Sequence, residues 1–254
     1  MPKLSIITIT YQAEAYLERT LKSVFEQDCA AEIDYIVVDG ASTDGTLQII
    51  EENKKQINQF ISEKDKGIYD AMNKGIGLAK GDYLLFLNAG DTFATATTLK
   101  NILNELSAHP DVLYGEAIFV NNEGVSLGLR SEATPHRLPA KLTWKDFRYG
   151  MLICHQAFIA KRSIAPLFDL QYKLSSDINW EIQVLKKSTT ILKSAEPICH
   201  YLMGGASVQN LKRSWQERYE VLKSHFGFFP NLLNHGIISI RGLIFAWKKQ
   251  GKYW

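Results

Sequence analysis

Residues 62–92 read SEKDKGIYDAMNKGIGLAKGDYLLFLNAGDT. Residues 68–79 are helix-forming. Residues 82–87 are an apolar run that reads as a buried strand and stops on Asn88-Ala89-Gly90-Asp91. A strand that ends in a carboxylate flanked by small residues lets something polar approach the backbone closely. Working back toward the N-terminus, three more strands end in the same polar way. Residues 4–10 are apolar and β-branched, as in a parallel strand buried on both faces, and finish on Thr10-Tyr11. Residues 33–39 finish on Asp39, and 59–62 run into Glu63 and Asp65. Between them, residues 14–27 carry Leu17, Leu21, Val24 and Phe25 at helical spacing. Ser42 or Thr43 is expected to cap a helix reaching about residue 52. Strand alternating with helix predicts an α/β fold, a mostly parallel doubly wound sheet.

Beyond residue 97 the pattern gives a helix over 97–107, a strand over 112–120, a turn at 121–124 and a loop around 134–139. Residues 176–187 and 208–225 read as helices. The expected organisation is a catalytic domain over 1–207 and a helical C-terminal extension over 208–254.

The chain has 254 residues, enough to bury a full sheet between two helical layers. A formal net charge of +2 gives no electrostatic footprint for nucleic acid. Cys29, Cys154 and Cys199 lie far apart, without CxxC or zinc-type spacing, which argues against a disulfide framework and for a cytoplasmic setting. No apolar run reaches the roughly 20 residues a spanning helix needs.

In open α/β sheets, ligands bind beyond the carboxyl ends of the strands. A dinucleotide-binding fingerprint is excluded, because the turn after the first strand reads Tyr11-Gln12-Ala13-Glu14 and not GxGxxG. A Walker loop is absent as well. Acidic side chains therefore have to do what glycine backbone does in those folds. A hard cation such as Mg²⁺ is commonly held by one or two carboxylates plus substrate phosphates, and Asp91 suits that role.

The blocks SIITITYQ, YIVVDGASTDGT, SEKDKGIYDAMNKGIGLAKGDYLLFLNAGD, CHQAF and SSDINWEI resemble the inverting family 2 glycosyltransferases of GT-A fold. Within that family, they are most similar to bacterial enzymes of polysaccharide assembly, of the colanic-acid and O-antigen kind. The resemblance implies a nucleotide-sugar donor (a UDP-sugar), Mg²⁺ or Mn²⁺, and inversion at the anomeric carbon. It places Thr10 and Tyr11 at the nucleoside, Asp39 at the base, and Glu63 and Asp65 along the nucleotide pocket. It places Asn88 with the donor and Asp91 at the DxD-type metal site. Asp177 falls at the catalytic base. His155 and Gln156 read as an acceptor or donor contact, or as a satisfied polar pair under a loop. Two departures stand out. Only Asp91 of the Asn88–Asp91 motif is charged, and Met72 stands where many relatives carry an arginine able to reach the diphosphate, leaving Lys74 or a later basic residue to replace it. The competing expectations are a nucleotidyltransferase and a degenerate nucleotide-binding module.

The C-terminal stretch, residues 232–254, reads LLNHGIISIRGLIFAWKKQGKYW. A cationic, Trp-bearing apolar helix of this length can lie at the inner face of a membrane, near a lipid-linked or glycan acceptor, or form a homodimer contact.

Overall fold

The structure, a computed structural model, describes residues 3–29, 33–205 and 209–249. Strands β1 (Leu4–Thr10), β2 (Asp34–Asp39), β3 (Gln59–Ser62) and β4 (Tyr83–Phe86) alternate with α1 (Leu17–Phe25), α2 (Thr46–Asn53) and α3 (Ile68–Leu78). Then follow β5 (Thr92–Phe93), α4 (Thr98–Leu106), β6 (Val112–Tyr114), β7 (Ala117–Val120), β8 (Ser126–Leu129) and α5 (Arg130–Ala133). After these come β9 (Phe158–Lys161), α6 (Ser176–Lys187), β10 (Ile191–Lys193) and β11 (Cys199–Leu202). Helices α7 (Leu211–Phe226) and α8 (Phe228–Lys248) complete the described chain.

The main sheet has seven strands in the order β10-β6-β9-β4-β1-β2-β3. Strand β1 lies at its centre, every residue buried, paired in parallel with β2 and β4. Its uniform apolar character is what burial on both faces requires. Only β9 runs antiparallel to its neighbours, β4 and β6. The carboxyl ends of β1, β2, β3 and β4 therefore share one edge.

Three local outcomes differ from the sequence expectation. Helix α2 begins at Thr46, later than a cap at Ser42 or Thr43 would give. Those residues are drawn into other bonds: Ser42 Oγ donates to Asp39 Oδ1 at 2.5 Å, and Gln12 Oε1 accepts from the backbone of Thr43 and Asp44. The single strand expected over 112–120 is two, β6 and β7, broken at Gly115. A Cβ there would stand 2.9 Å from Ile198, so glycine lets the chain cross close to the strand beside it. The break sends β7 into a second sheet, ordered β5-β11-β7-β8.

Helices α7 and α8 pack together and against α6 and the 3₁₀ turn Trp144–Tyr149. Buried Asn231 ties α8 to α7 by donating to the Tyr219 carbonyl at 3.1 Å. The outward face of α8 exposes Leu232, Leu233, Ile240, Leu243, Ile244 and Trp247. Among the described residues no helix is long and apolar enough to cross a membrane. The boundary expected at 207/208 and the cation Lys252 lie outside the described residues.

Candidate active site

Two groups of polar side chains stand along the carboxyl edge of the main sheet. The first surrounds Gly40, which follows β2. A Cβ on Gly40 would fall 2.6 Å from Asp65 Oδ2 and 3.2 Å from the Tyr11 ring, so these two side chains converge on bare backbone. Tyr11 is 61% exposed, while Thr10 is buried with its hydroxyl unpartnered. Asp65 accepts from Gly67 N at 2.8 Å, fixing the loop that enters α3. Asp39 is fully buried and accepts three hydrogen bonds, from Ser42 N, Ser42 Oγ and Ser62 Oγ. A carboxylate has about four lone-pair sites, so one remains. Glu63 pairs with Lys74 at 3.0 Å.

The second group joins the end of β4 to the 3₁₀ turn His155–Ala157 and the first turn of α6. Asp91 Oδ2 accepts from Gln156 Nε2 at 2.8 Å, and its Oδ1 from Leu202 N at 2.9 Å. Burial pushes the Asp91 carboxyl up to about 6, partly offset by those two donors and by the nearby charges of His155 and Arg19. Asn88 Nδ2 lies 3.0 Å from His155 Nε2. With the amide nitrogen donating, Nε2 is the acceptor and the ring proton sits on Nδ1. That nitrogen faces Asp177 Oδ2 at 3.4 Å, an electrostatic contact and not a formed hydrogen bond. Asp177 Oδ1 accepts from Ile178 N at 2.9 Å and from Tyr69 Oη at 3.1 Å. Burial and the Asp177 charge raise the Tyr69 hydroxyl well above its ordinary range, so it stays a neutral donor.

The structure thus brings Asn88, Asp91, His155, Gln156 and Asp177 into one connected network, and Tyr69 links this network to the loop carrying Asp65. Tyr69 was not among the sequence candidates. It opens helix α3 two residues after Gly67, inside a helical pattern that gives no local sign of its contact with Asp177. Glu181 was also missed. It lies one turn after Asp177, fully buried, with neither carboxyl oxygen partnered. Burial, then the Asp177 charge, raises its carboxyl well above the ordinary range. Met72 is fully buried in the core, and Lys74 is held by Glu63 and the Lys64 carbonyl.

Buried polar atoms without a partner are few in native proteins. Among the described residues, several belong to these two groups or stand beside Gly90: Thr10 Oγ1, Asn88 Oδ1, His155 Nδ1, Gln156 Oε1, and Arg19 Nε and Nη2. Such a set is what a polar ligand would satisfy.

The Asn88–Asp91 loop offers a divalent cation one charged ligand, Asp91, each of whose oxygens already accepts one hydrogen bond; Asn88 is neutral and Gly90 has no side chain. Among the described residues, no group of three or more His, Cys, Asp or Glu is placed to hold a metal ion.

The family model for glycosyl transferase family 2 matches residues 5–166. A PGL/p-HBAD biosynthesis glycosyltransferase of Mycobacterium bovis is 29% identical over 201 residues, 76% of this chain and 73% of that protein. The poly(ribitol-phosphate) β-N-acetylglucosaminyltransferase TarS of Staphylococcus aureus is 33% identical over 140 residues, 53% of this chain and 24% of TarS. Among solved structures, TarS residues 1–349 in complex with UDP-GlcNAc superimposes with a TM-score of 0.70 at 24% identity, covering 86% of this chain and 64% of that one. Against a longer TarS chain the coverage is only 38%. The mannosyltransferase PcManGT of Pyrobaculum calidifontis, in complex with GDP-Man and Mn²⁺, gives a TM-score of 0.64 at 18% identity, covering 93% of this chain and 69% of that one. These likenesses show that the folds agree.

Proposed function

Because this chain belongs to glycosyl transferase family 2, we propose that its cleft transfers one sugar from a UDP-sugar to a glycan or lipid-linked acceptor with inversion, and that Asp177 is the base. The observation that carries the proposal is how the buried acids differ. Asp39 is fully buried and bound by three donors. Asp91 is buried, engaged on both oxygens and raised to about 6. Glu181 is fully buried with neither carboxyl oxygen partnered, and its carboxyl is raised well above the ordinary range. Asp177 Oδ1 accepts two hydrogen bonds, and its Oδ2 faces the His155 ring at 3.4 Å without a formed bond.

In the reaction, an acceptor hydroxyl within about 2.6–3.2 Å of Asp177 gives its proton to that carboxylate. The acceptor oxygen bonds to the anomeric carbon on the face opposite the diphosphate. The bond from that carbon to the diphosphate oxygen breaks, and its electron pair leaves with the UDP. Tyr69 Oη and His155 Nδ1–H hold the carboxylate from two sides, so its open lone pair keeps one direction. The base and ribose would lie across Thr10, Tyr11 and Gly40, with Asp65 beside them and the remaining Asp39 site beneath. Asn88 Oδ1 and Gln156 Oε1 are free to accept from sugar hydroxyls. No step is routed through Mg²⁺ or Mn²⁺.

The apolar outward face of α8 supports a peripheral membrane contact. Beside it, a cavity of about 670 Å³ is lined by Arg137, Lys193, Arg241 and Lys248, by the acids Glu116 and Glu132, and by Ile244 and Phe245. Cations near an apolar helix face are what contact with an anionic lipid surface uses.

The decisive experiment measures UDP release from a panel of UDP-sugars with wild type and Asp177→Asn, alongside UDP titration calorimetry. The expected result is release by wild type, loss of release in the variant, and equal UDP binding by both. UDP binding without turnover of any donor would favour the binding-module reading. No UDP binding would remove the proposal.

A further inference from the structure

Arg19 stands in the first turn of α1, outside every motif read from the sequence. Its Nη1 donates to the Asn122 carbonyl at 3.1 Å, and its guanidinium lies 5.1 Å from the centre of the Tyr16 ring. Its Nε and Nη2 are buried, and neither has a hydrogen-bond partner among the described residues. Two guanidinium N–H groups held out of water without a partner are costly unless an anion joins them. Asp91 feels the Arg19 charge, but its hydrogen bonds come from Gln156 and Leu202 and none comes from Arg19.

The idle donors sit beside the residue where a metal motif would be strongest. Read from Asn88, a DxD pattern puts its second acid at Gly90. A Cβ on Gly90 would stand 2.7 Å from Leu202 Cδ2 and 3.5 Å from Arg19 Nη2. The space for that carboxylate is thus occupied by a leucine methyl, with a guanidinium immediately behind it. At the position where many relatives carry an arginine stands Met72, buried in the core, and Lys74, two residues on, is paired with Glu63.

We infer that Arg19 binds the donor's diphosphate and supplies there the positive charge that the Asn88–Asp91 loop cannot recruit as a metal ion. The inference rests on the donor reading above and names the group that holds the donor's charged part. A planar guanidinium with two free N–H groups matches adjacent phosphate oxygens in a bidentate way. The site takes a nucleoside diphosphate and not the nucleoside alone, which separates its contribution from that of the base pocket.

The test is titration calorimetry of wild type, Arg19→Gln and Arg19→Lys with UDP and with uridine, each in EDTA and in Mn²⁺. Wild type should bind UDP equally, within about twofold, in EDTA and in Mn²⁺, whereas Arg19→Gln should lose about tenfold or more, the worth of one hydrogen bond to a charged group. Uridine affinity should stay unchanged in both variants, which also shows that the pocket is folded, and Arg19→Lys should fall between. Retention of full UDP affinity by Arg19→Gln, parallel loss of UDP and uridine, or abolition of wild-type UDP binding by EDTA would each overturn the inference. Failure of wild type to bind UDP at all would remove the donor reading and this inference with it, so the two failures are told apart.

Discussion

Replacing Gly90 by alanine probes whether the loop after β4 is built around an absent side chain. Gly90 has φ +104°, a region that side-chain-bearing residues rarely enter. Holding alanine there costs about 1–3 kcal/mol. The new Cβ also meets Leu202 Cδ2 at 2.7 Å, closer than packed carbons tolerate. Over-packing of that kind adds about 1–3 kcal/mol, toward the lower end here because the leucine methyl can swing. The sum is about 3 kcal/mol. For a chain of this size each kcal/mol lowers Tm by about 2–4 °C, so Gly90→Ala should melt about 6–12 °C below wild type. The assay is thermal denaturation followed by circular dichroism, repeated with Leu202→Ala and with the double variant. Leu202→Ala removes the clash and leaves the backbone strain, so the double variant should be less destabilised than the sum of the singles. A Gly90→Ala protein melting within about 2 °C of wild type would refute the packing argument. Strict additivity would show that Leu202 does not fill the space.

Tyr69→Phe removes a hydrogen bond to Asp177 and nothing else from the cleft, so turnover should fall about tenfold or more while UDP binding holds; unchanged turnover would deny Tyr69 its positioning role. Glu181→Gln bears on pH dependence. The folded carboxyl titrates above its ordinary value, so its neutral form stabilises the fold fully below about pH 4.5, and that stability is lost as pH rises. The variant should therefore gain on wild type in Tm between pH 5 and pH 8, and parallel Tm curves would contradict the raised titration of that acid. Leu233→Glu with Leu243→Glu removes two exposed leucines from α8, and at about 1.5–3 kcal/mol per buried leucine the pair should weaken sedimentation with phosphatidylglycerol vesicles about 100-fold. Undiminished vesicle binding, or a shift from dimer to monomer in its place, would assign that face elsewhere.

The strand ends were legible because a buried parallel strand is a continuous apolar run and its polar stop is abrupt. That held for β1 through β4, and residues 176–187 form α6 as their spacing predicted. The second sheet was not legible. Its strands are two to four residues long, and they pair across distances no local pattern records: His200 with Thr92, and Cys199 with Ala117. The site followed the same division. Asp39, Asp91 and Asp177 announced themselves at element ends, where acids also serve as caps. Asp39 caps no helix and instead ties down the turn after β2 through Ser42. Arg19 and Tyr69 lie inside helical patterns, where a long polar or aromatic residue looks like an ordinary solvated or core position. Only the tertiary neighbours of these two, Gly90 for one and Asp177 for the other, give them a reason.

The departures along the chain make one electrostatic sense when taken together. Acids at positions 88 and 90 would place two more charges beside Asp91, and burying such a set without a cation is prohibitive. With Asn88 and Gly90 there instead, the single carboxyl needs little neutralisation, and burial has already lifted it to about 6. The Arg19 charge offsets part of the burial effect on Asp91 without a bond between them, and Arg19 still keeps two N–H groups for an arriving anion. The half-buried arginine, the missing acids and the leucine methyl in the vacated space are therefore consequences of a single change in charge balance. Restoring one acid alone, without removing Arg19 and Leu202, would recreate neither arrangement.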